Sequence, residues 1–129
     1  MEDFSTINWL AVGVGTVVSF LVGWGWYSQK LFGTKWAEGS KVSLDSASKM
    51  PVFAMVSQLV ALFLLALVVG LTAQIEALIT AILAILAVAA FISSMGGFVN
   101  KSRYAITVDF FYIVVAGALM IASQGILKF

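Results

Sequence analysis

The sequence contains four stretches that are each long and apolar enough to cross a lipid bilayer as a helix. They run approximately from 7 to 28, 50 to 73, 77 to 99 and 104 to 126. The hydrocarbon layer of a bilayer is about 30 Å thick and requires roughly 20 predominantly apolar residues in a helix. Because 62% of the 129 residues are hydrophobic and only 10% are charged, the chain could not cover a water-facing surface. The sequence therefore predicts an all-α membrane protein, a four-helix transmembrane bundle that forms one domain over residues 1–129.

The positions of lysine and arginine predict how this bundle is oriented. Two loops hold six of the seven basic residues, namely Lys30, Lys35, Lys41 and Lys49 in the first and Lys101 and Arg103 in the second. The turn around 74–76 holds none. Because cytoplasmic loops of membrane proteins carry an excess of basic residues, we expect both basic loops in the cytoplasm. Both termini are then on the outer side of the membrane, which we expect to be a bacterial inner membrane.

Aromatic residues cluster at the ends of the first span. Tryptophan and tyrosine prefer the membrane–water interface, where the ring lies among acyl chains and the polar atom reaches water. We interpret these residues as interfacial anchors, with a short interfacial aromatic segment after the first helix: Trp9, Trp24, Trp26, Tyr27, Phe32 and Trp36. The same aromatic face could alternatively stack a planar ligand or hold a larger partner.

The spacing of these residues resembles a known family. The stretch INWLAV at 7–12, a glycine-containing span and WYSQKLFGTKW at 26–36 together resemble domain-of-unknown-function family 1761. The matching positions are Asn8, Trp9, Trp26, Tyr27, Ser28, Leu31, Phe32, Gly33 and Trp36. This resemblance implies a four-span helical membrane protein. It implies no activity, substrate or catalytic residue.

Asp109 is the acidic residue that the pattern places deepest in a span. It lies about 8 Å below the cytoplasmic boundary at roughly 1.5 Å per residue, and an ionisable residue at such a depth is a candidate functional site. Polar residues at a similar depth are Gln58, Ser93 and Ser94, and Tyr112 shares the face of Asp109. These residues predict either a proton or ligand site, or a structural cluster in which Asp109 is neutral or paired with Lys101 or Arg103.

Small residues in two spans predict close helix packing. Membrane helices associate through small residues and interhelical hydrogen bonds, because lipid is as apolar as the side chains. The first span carries Ala11, Gly15, Ser19 and Gly23 at four-residue spacing, and the third carries Ala89, Ser93 and Gly97. These stripes could pack within the bundle or form a contact between two copies of the chain.

Composition restricts the function classes. The chain has no cysteine, no histidine and a net charge of +1, so imidazole or thiolate chemistry is excluded and nucleic acid is not an expected partner. We expect that the chain is not an enzyme and that it binds no metal or cofactor. Its expected partners are membrane lipids and other membrane helices, in a homo-oligomer or a larger complex. The favoured function is an accessory, scaffold or assembly component. The alternative is a small transporter or channel that handles protons, cations or a small polar solute around Asp109.

Overall fold

The computed structural model describes residues 4–28, 30–41 and 52–127, and this part of the chain is helical throughout apart from short connections. A short 3-10 helix, Phe4–Thr6, precedes α1 (Trp9–Trp26), α2 (Gly33–Ser40), α3 (Val52–Gln74), α4 (Leu78–Phe98) and α5 (Arg103–Ile126). The helices α1, α3, α4 and α5 are long and apolar enough to cross a membrane. The residue range of each of them coincides closely with one of the four predicted stretches. The all-α prediction is therefore confirmed for the described residues.

Local hydrogen bonds explain where these helices begin and end. The side chain of Asn8 accepts a hydrogen bond from the backbone N–H of Ala11 and caps α1, and Ser102 caps α5 in the same way. After α4 the backbone N–H of Lys101 donates to the carbonyl of Gly96 at 3.0 Å, while Asn100 adopts the left-handed conformation with φ 60°. The chain therefore reverses at once, and α4 and α5 are antiparallel neighbours.

The last span, α5, is the central helix of the bundle. It packs against all four of the other α-helices. Its inward face carries Ile113, Ala116 and Met120, which are at most 8% exposed. The helices α3 and α4 lie outside it and leave most of their apolar side chains exposed. Such exposure would be unfavourable in water, because burial of apolar surface is the main driving force for folding in water, but lipid can cover it.

The small-residue stripe of the first span packs inside the chain, against α5. Ala11, Gly15, Ser19 and Gly23 are all buried. A Cβ atom added at Gly15 would lie 3.3 Å from the Cα of Met120, and one added at Gly23 would lie 2.7 Å from the hydroxyl of Tyr112. The stripe thus allows the backbones of α1 and α5 to approach closely. Of the two alternatives for this stripe, the structure has packing within the bundle.

The small residues of α4 divide between two faces. Ala89 is fully buried. A Cβ atom added at Gly96 would lie 3.1 Å from a side-chain carbon of Ile106 in α5. Gly97, which the sequence suggested for packing, is exposed and has no atom within 4 Å of its would-be Cβ. The glycine that packs against α5 is therefore Gly96, and Gly97 faces away from the bundle.

Candidate functional site

The carboxylate of Asp109 is the centre of a polar cluster at one end of the bundle. The residue lies in the second turn of α5 and is 7% exposed. Its Oδ1 accepts hydrogen bonds from the hydroxyl of Tyr27 at 2.5 Å and from the indole N–H of Trp36 at 2.9 Å. Its Oδ2 accepts a hydrogen bond from the ammonium of Lys101 at 2.9 Å. Three donors from three segments therefore meet at one buried carboxylate.

A tight turn after α1 delivers two of these donors. The backbone N–H of Phe32 donates to the carbonyl of Trp26 at 3.2 Å, and the N–H of Gly33 donates to the carbonyl of Ser28 at 2.8 Å. The chain then runs back as α2, which is attached to the start of α5 by a hydrogen bond of 3.0 Å from the N–H of Ser102 to the carbonyl of Gly39. This reversal places Tyr27 and Trp36 on the same side of α5. We call this end of the bundle, which also carries Lys30, Lys35, Lys101 and Arg103, the basic end.

Aromatic rings enclose the carboxylate. The rings of Tyr27 and Trp36 have their centroids 4.9 Å apart in an edge-on arrangement, and the ring of Tyr27 also contacts that of Tyr112 at 5.6 Å. The ammonium of Lys101 lies 5.4 Å from the centre of the Trp36 ring. Burial of Tyr27, which follows the last residue of α1, raises the pKa of its phenol, and the nearby Asp109 carboxylate raises it further. Tyr27 is therefore protonated and remains a donor.

A second group of hydrogen bonds lies one turn deeper along α5. The hydroxyl of Tyr112 donates to the carbonyl of Ser19 at 2.8 Å and accepts from the amide of Gln58 at 3.4 Å. Ser93 instead donates to the carbonyl of Ala89 in its own helix at 2.9 Å, and Ser94 is exposed. The structure therefore joins Gln58 to Tyr112 and brings both close to the Asp109 cluster. Ser93 and Ser94 have no hydrogen bond to it.

Sequence reasoning missed two of the three partners of Asp109. Lys101 is one of the partners that the sequence predicts, whereas the sequence pattern assigns Tyr27 and Trp36 to the membrane interface. Trp26 also turns inward, since its indole N–H donates to the carbonyl of Val108 at 3.1 Å. Trp9 and Trp24 are half exposed or more. The signal that could have identified Tyr27 and Trp36 as partners is chemical. A buried indole or phenol requires an acceptor, and Asp109 is the carboxylate that the sequence places deepest in a span.

The geometry of the cluster suits a structural link better than a metal site. Within residues 4–28, 30–41 and 52–127, no group of three or more His, Cys, Asp or Glu side chains could hold a metal ion. An ionised carboxylate has about four lone-pair positions in its two oxygens, and three of those on Asp109 are already used. Since the Lys101 ammonium cancels the charge, the cluster is a neutral connection between α1, α2 and α5.

The comparisons with known proteins identify a family. No curated protein and no solved structure matches the chain at a significant level. One sequence family, described as "Protein of unknown function (DUF1761)", matches residues 10–123. This range contains Asp109 and its three donors, and it extends the resemblance of the first third of the chain over nearly all of it. The chain therefore belongs to the DUF1761 family, whose function is unknown.

Proposed function

We propose that the chain is an integral membrane protein that acts as an accessory, scaffold or assembly component and packs against other membrane helices. In the proposed orientation the basic end faces the cytoplasm of a bacterial inner membrane, and both termini lie outside. The distribution of lysine and arginine supports this orientation. The proposal rests mainly on the outward face of α4.

That outward face carries a line of small residues between large exposed ones such as Leu83 and Phe91. Ala87, Ala90, Ser94 and Gly97 are all exposed, and their spacing of three and four residues places them along one stripe. This stripe lies opposite the face of α4 that Ile85 and Ala89 bury against the bundle. Small residues gain nothing from contact with lipid, but they allow another helix to approach closely. We call this surface the outer α4 stripe.

The interior of the bundle supports the same proposal. Asp109 is neutralised by Lys101, and the hydroxyls of Thr16 and Ser19 both donate to backbone carbonyls. Met120 and Ala116, at most 1% exposed, fill the space farther from the basic end. A bundle in which these α1 and α5 polar groups find partners inside the chain, and which leaves a small-residue stripe outside, is suited to association.

A substitution in the outer α4 stripe tests this function. We expect Gly97→Leu to reduce the membrane complex about tenfold, because the leucine would overpack a close helix contact and overpacking typically costs about 1–3 kcal/mol. The measurement is the fraction of the chain in a larger species on native gels of membranes solubilised in mild detergent. In addition, Ala90→Cys should form disulfide cross-links under oxidation, and the background is clean because the sequence has no cysteine.

Gly13→Leu is the matched control. Gly13 is also an exposed helical glycine with no atom within 4 Å of its would-be Cβ, but it lies on α1. We expect its variant to behave like the unmodified chain. If Gly97→Leu and Gly13→Leu gave the same single small species, and Ala90→Cys formed no cross-link, the outer α4 stripe would not be a contact surface.

A transporter centred on Asp109 is the second candidate, and the buried carboxylate itself is the observation that favours it. The side chain of Lys101 is 24% exposed, so the ion pair lies close to the surface of the basic end. Beyond Tyr112 the buried Ala116 and Met120 argue against a path through the bundle. We therefore expect vesicles that contain the purified chain to show the same proton and cation flux as empty vesicles. A flux that Asp109→Asn abolishes would instead establish the transporter.

A further inference from the structure

A groove runs along the outside of α5 at the basic end. One face of α5 forms its floor with Tyr104, Val108, Phe111 and Val115, and Trp26 and Phe32 form one wall. The cavity has a volume of about 270 Å³. Thr107 also lines it, but its hydroxyl already donates to the backbone carbonyl of Arg103 at 2.8 Å. Apart from the hydroxyl of Tyr104 at its entrance, the groove therefore presents apolar surface.

The length of the groove matches one leaflet of a bilayer. Tyr104 and Val115 are eleven residues apart in α5, which corresponds to about 16 Å along the helix axis. Half of a hydrocarbon layer is about 15 Å thick. Because α5 is one of the helices able to cross a membrane, the groove would run from the headgroup level towards the bilayer centre. This is the direction and length of one extended acyl chain.

The entrance of the groove is cationic. The ammonium of Lys35 lies 5.3 Å from the centre of the Tyr104 ring, which lines the entrance. Arg103, the residue before Tyr104, is exposed, and so is Lys30 in the turn that carries Phe32. The nearby acidic groups are Glu38, which is exposed on α2, and Asp109, which is buried and neutralised by Lys101. The entrance therefore has an excess of positive charge at the level expected for phosphate groups.

We propose that this groove binds one acyl chain of an anionic phospholipid, with the headgroup phosphate held by Lys35 and Arg103. Juxtamembrane lysine and arginine attract anionic lipid. The aromatic and aliphatic floor of the groove can contact an acyl chain of a lipid from the surrounding bilayer. The proposal requires that the basic end lies at lipid headgroups. It does not depend on the accessory role or on the outer α4 stripe.

Native mass spectrometry of the full chain in an uncharged detergent tests this site. Phosphatidylglycerol and phosphatidylcholine with identical acyl chains are titrated separately. We expect phosphatidylglycerol to bind preferentially, and Lys35→Gln to reduce its affinity about fivefold, the contribution of one basic residue near an anionic surface. Thr107→Phe should fill the groove and reduce binding of both lipids.

Two matched variants serve as controls. Lys41→Gln removes the same charge from the far end of α2, and Leu83→Phe adds a ring to the exposed surface of α4. Both should bind phosphatidylglycerol as the unmodified chain does. Far-UV circular dichroism verifies that every variant is folded, and if Thr107→Phe is not, Val115→Phe replaces it.

Three results would overturn the proposal. The first is equal affinity for the two lipids, and the second is an equal effect of Lys35→Gln and Lys41→Gln. The third is capture of a protein helix by a photoreactive residue placed at position 111, which would assign the groove to a protein partner. If the proposal is correct, this residue captures lipid in membranes.

Discussion

Asp109→Ala is expected to lower the free energy of unfolding by about 3 kcal/mol, since breaking one side of a buried ion pair costs roughly 3–5 kcal/mol. We expect the lower end of that range because the side chain of Lys101 is 24% exposed and can reach solvent. The hydroxyl of Tyr27 and the indole N–H of Trp36 lose their acceptor at the same time. The measurement is unfolding in mixed micelles with increasing sodium dodecyl sulfate, followed by far-UV circular dichroism.

Two further variants separate the charge from the hydrogen bonds. Asp109→Asn keeps an oxygen that can accept from Tyr27 and Trp36, so it should cost less than Asp109→Ala. In the double variant Asp109→Ala/Lys101→Met no ammonium is left without its carboxylate. Its loss of unfolding free energy should therefore be smaller than the sum of the two single losses by about 1–2 kcal/mol, within the range for residues in contact. An unchanged unfolding midpoint for Asp109→Ala would show that the cluster does not hold the bundle together.

Gly33→Ala is expected to have an effect of similar size, although it adds only a methyl group. A Cβ at this position would collide with the backbone carbonyl oxygens of Tyr27 and Ser28, which cannot rotate away as a flexible side chain could. The turn would have to open, and α2 would then carry Trp36 away from Asp109. Overpacking of this kind typically costs about 1–3 kcal/mol, and we expect the upper end. The same unfolding assay measures it.

Gly25→Ala is the matched control for this substitution. Gly25 lies in the last turn of α1 and has no atom within 4 Å of its would-be Cβ. Its replacement should stabilise the helix by about 0.5–1 kcal/mol, because alanine loses less backbone entropy than glycine. Asp109→Asn should also cost less in the Gly33→Ala background, where Trp36 is already displaced. If both glycine variants were equally stable, the turn would not position α2.

The four long helices were predictable because their signal is one of length and composition. A stretch of about 20 apolar residues has few alternatives to a membrane span, and short turns leave little choice of neighbour. The rotation of each helix was not predictable in the same way. The helix α4 is apolar on nearly every face, so no pattern in the sequence distinguishes Gly96, which packs on α5, from Gly97, which faces outward.

The candidate site was predictable in its centre and not in its surroundings. Depth alone singled out Asp109, because a carboxylate inside a span is unusual. Its partners Tyr27 and Trp36 lie 82 and 73 residues away in the sequence. Their directions depend on the turn between α1 and α2, which is irregular and has no periodicity. An aromatic residue near the end of a span can face lipid or face a buried acceptor, and only the fold of this turn decides between them.

The central position of α5 has a consequence for how the protein is made. A ribosome releases α1, α3 and α4 before α5, so these helices can enter the bilayer before the helix that all three contact. The indole N–H of Trp36 then has no Asp109 carboxylate to donate to, and the small-residue stripe of α1 does not yet have α5 to pack against. The native arrangement can therefore be completed only after α5 has been made, and a nascent chain halted before α5 would be a target for proteases.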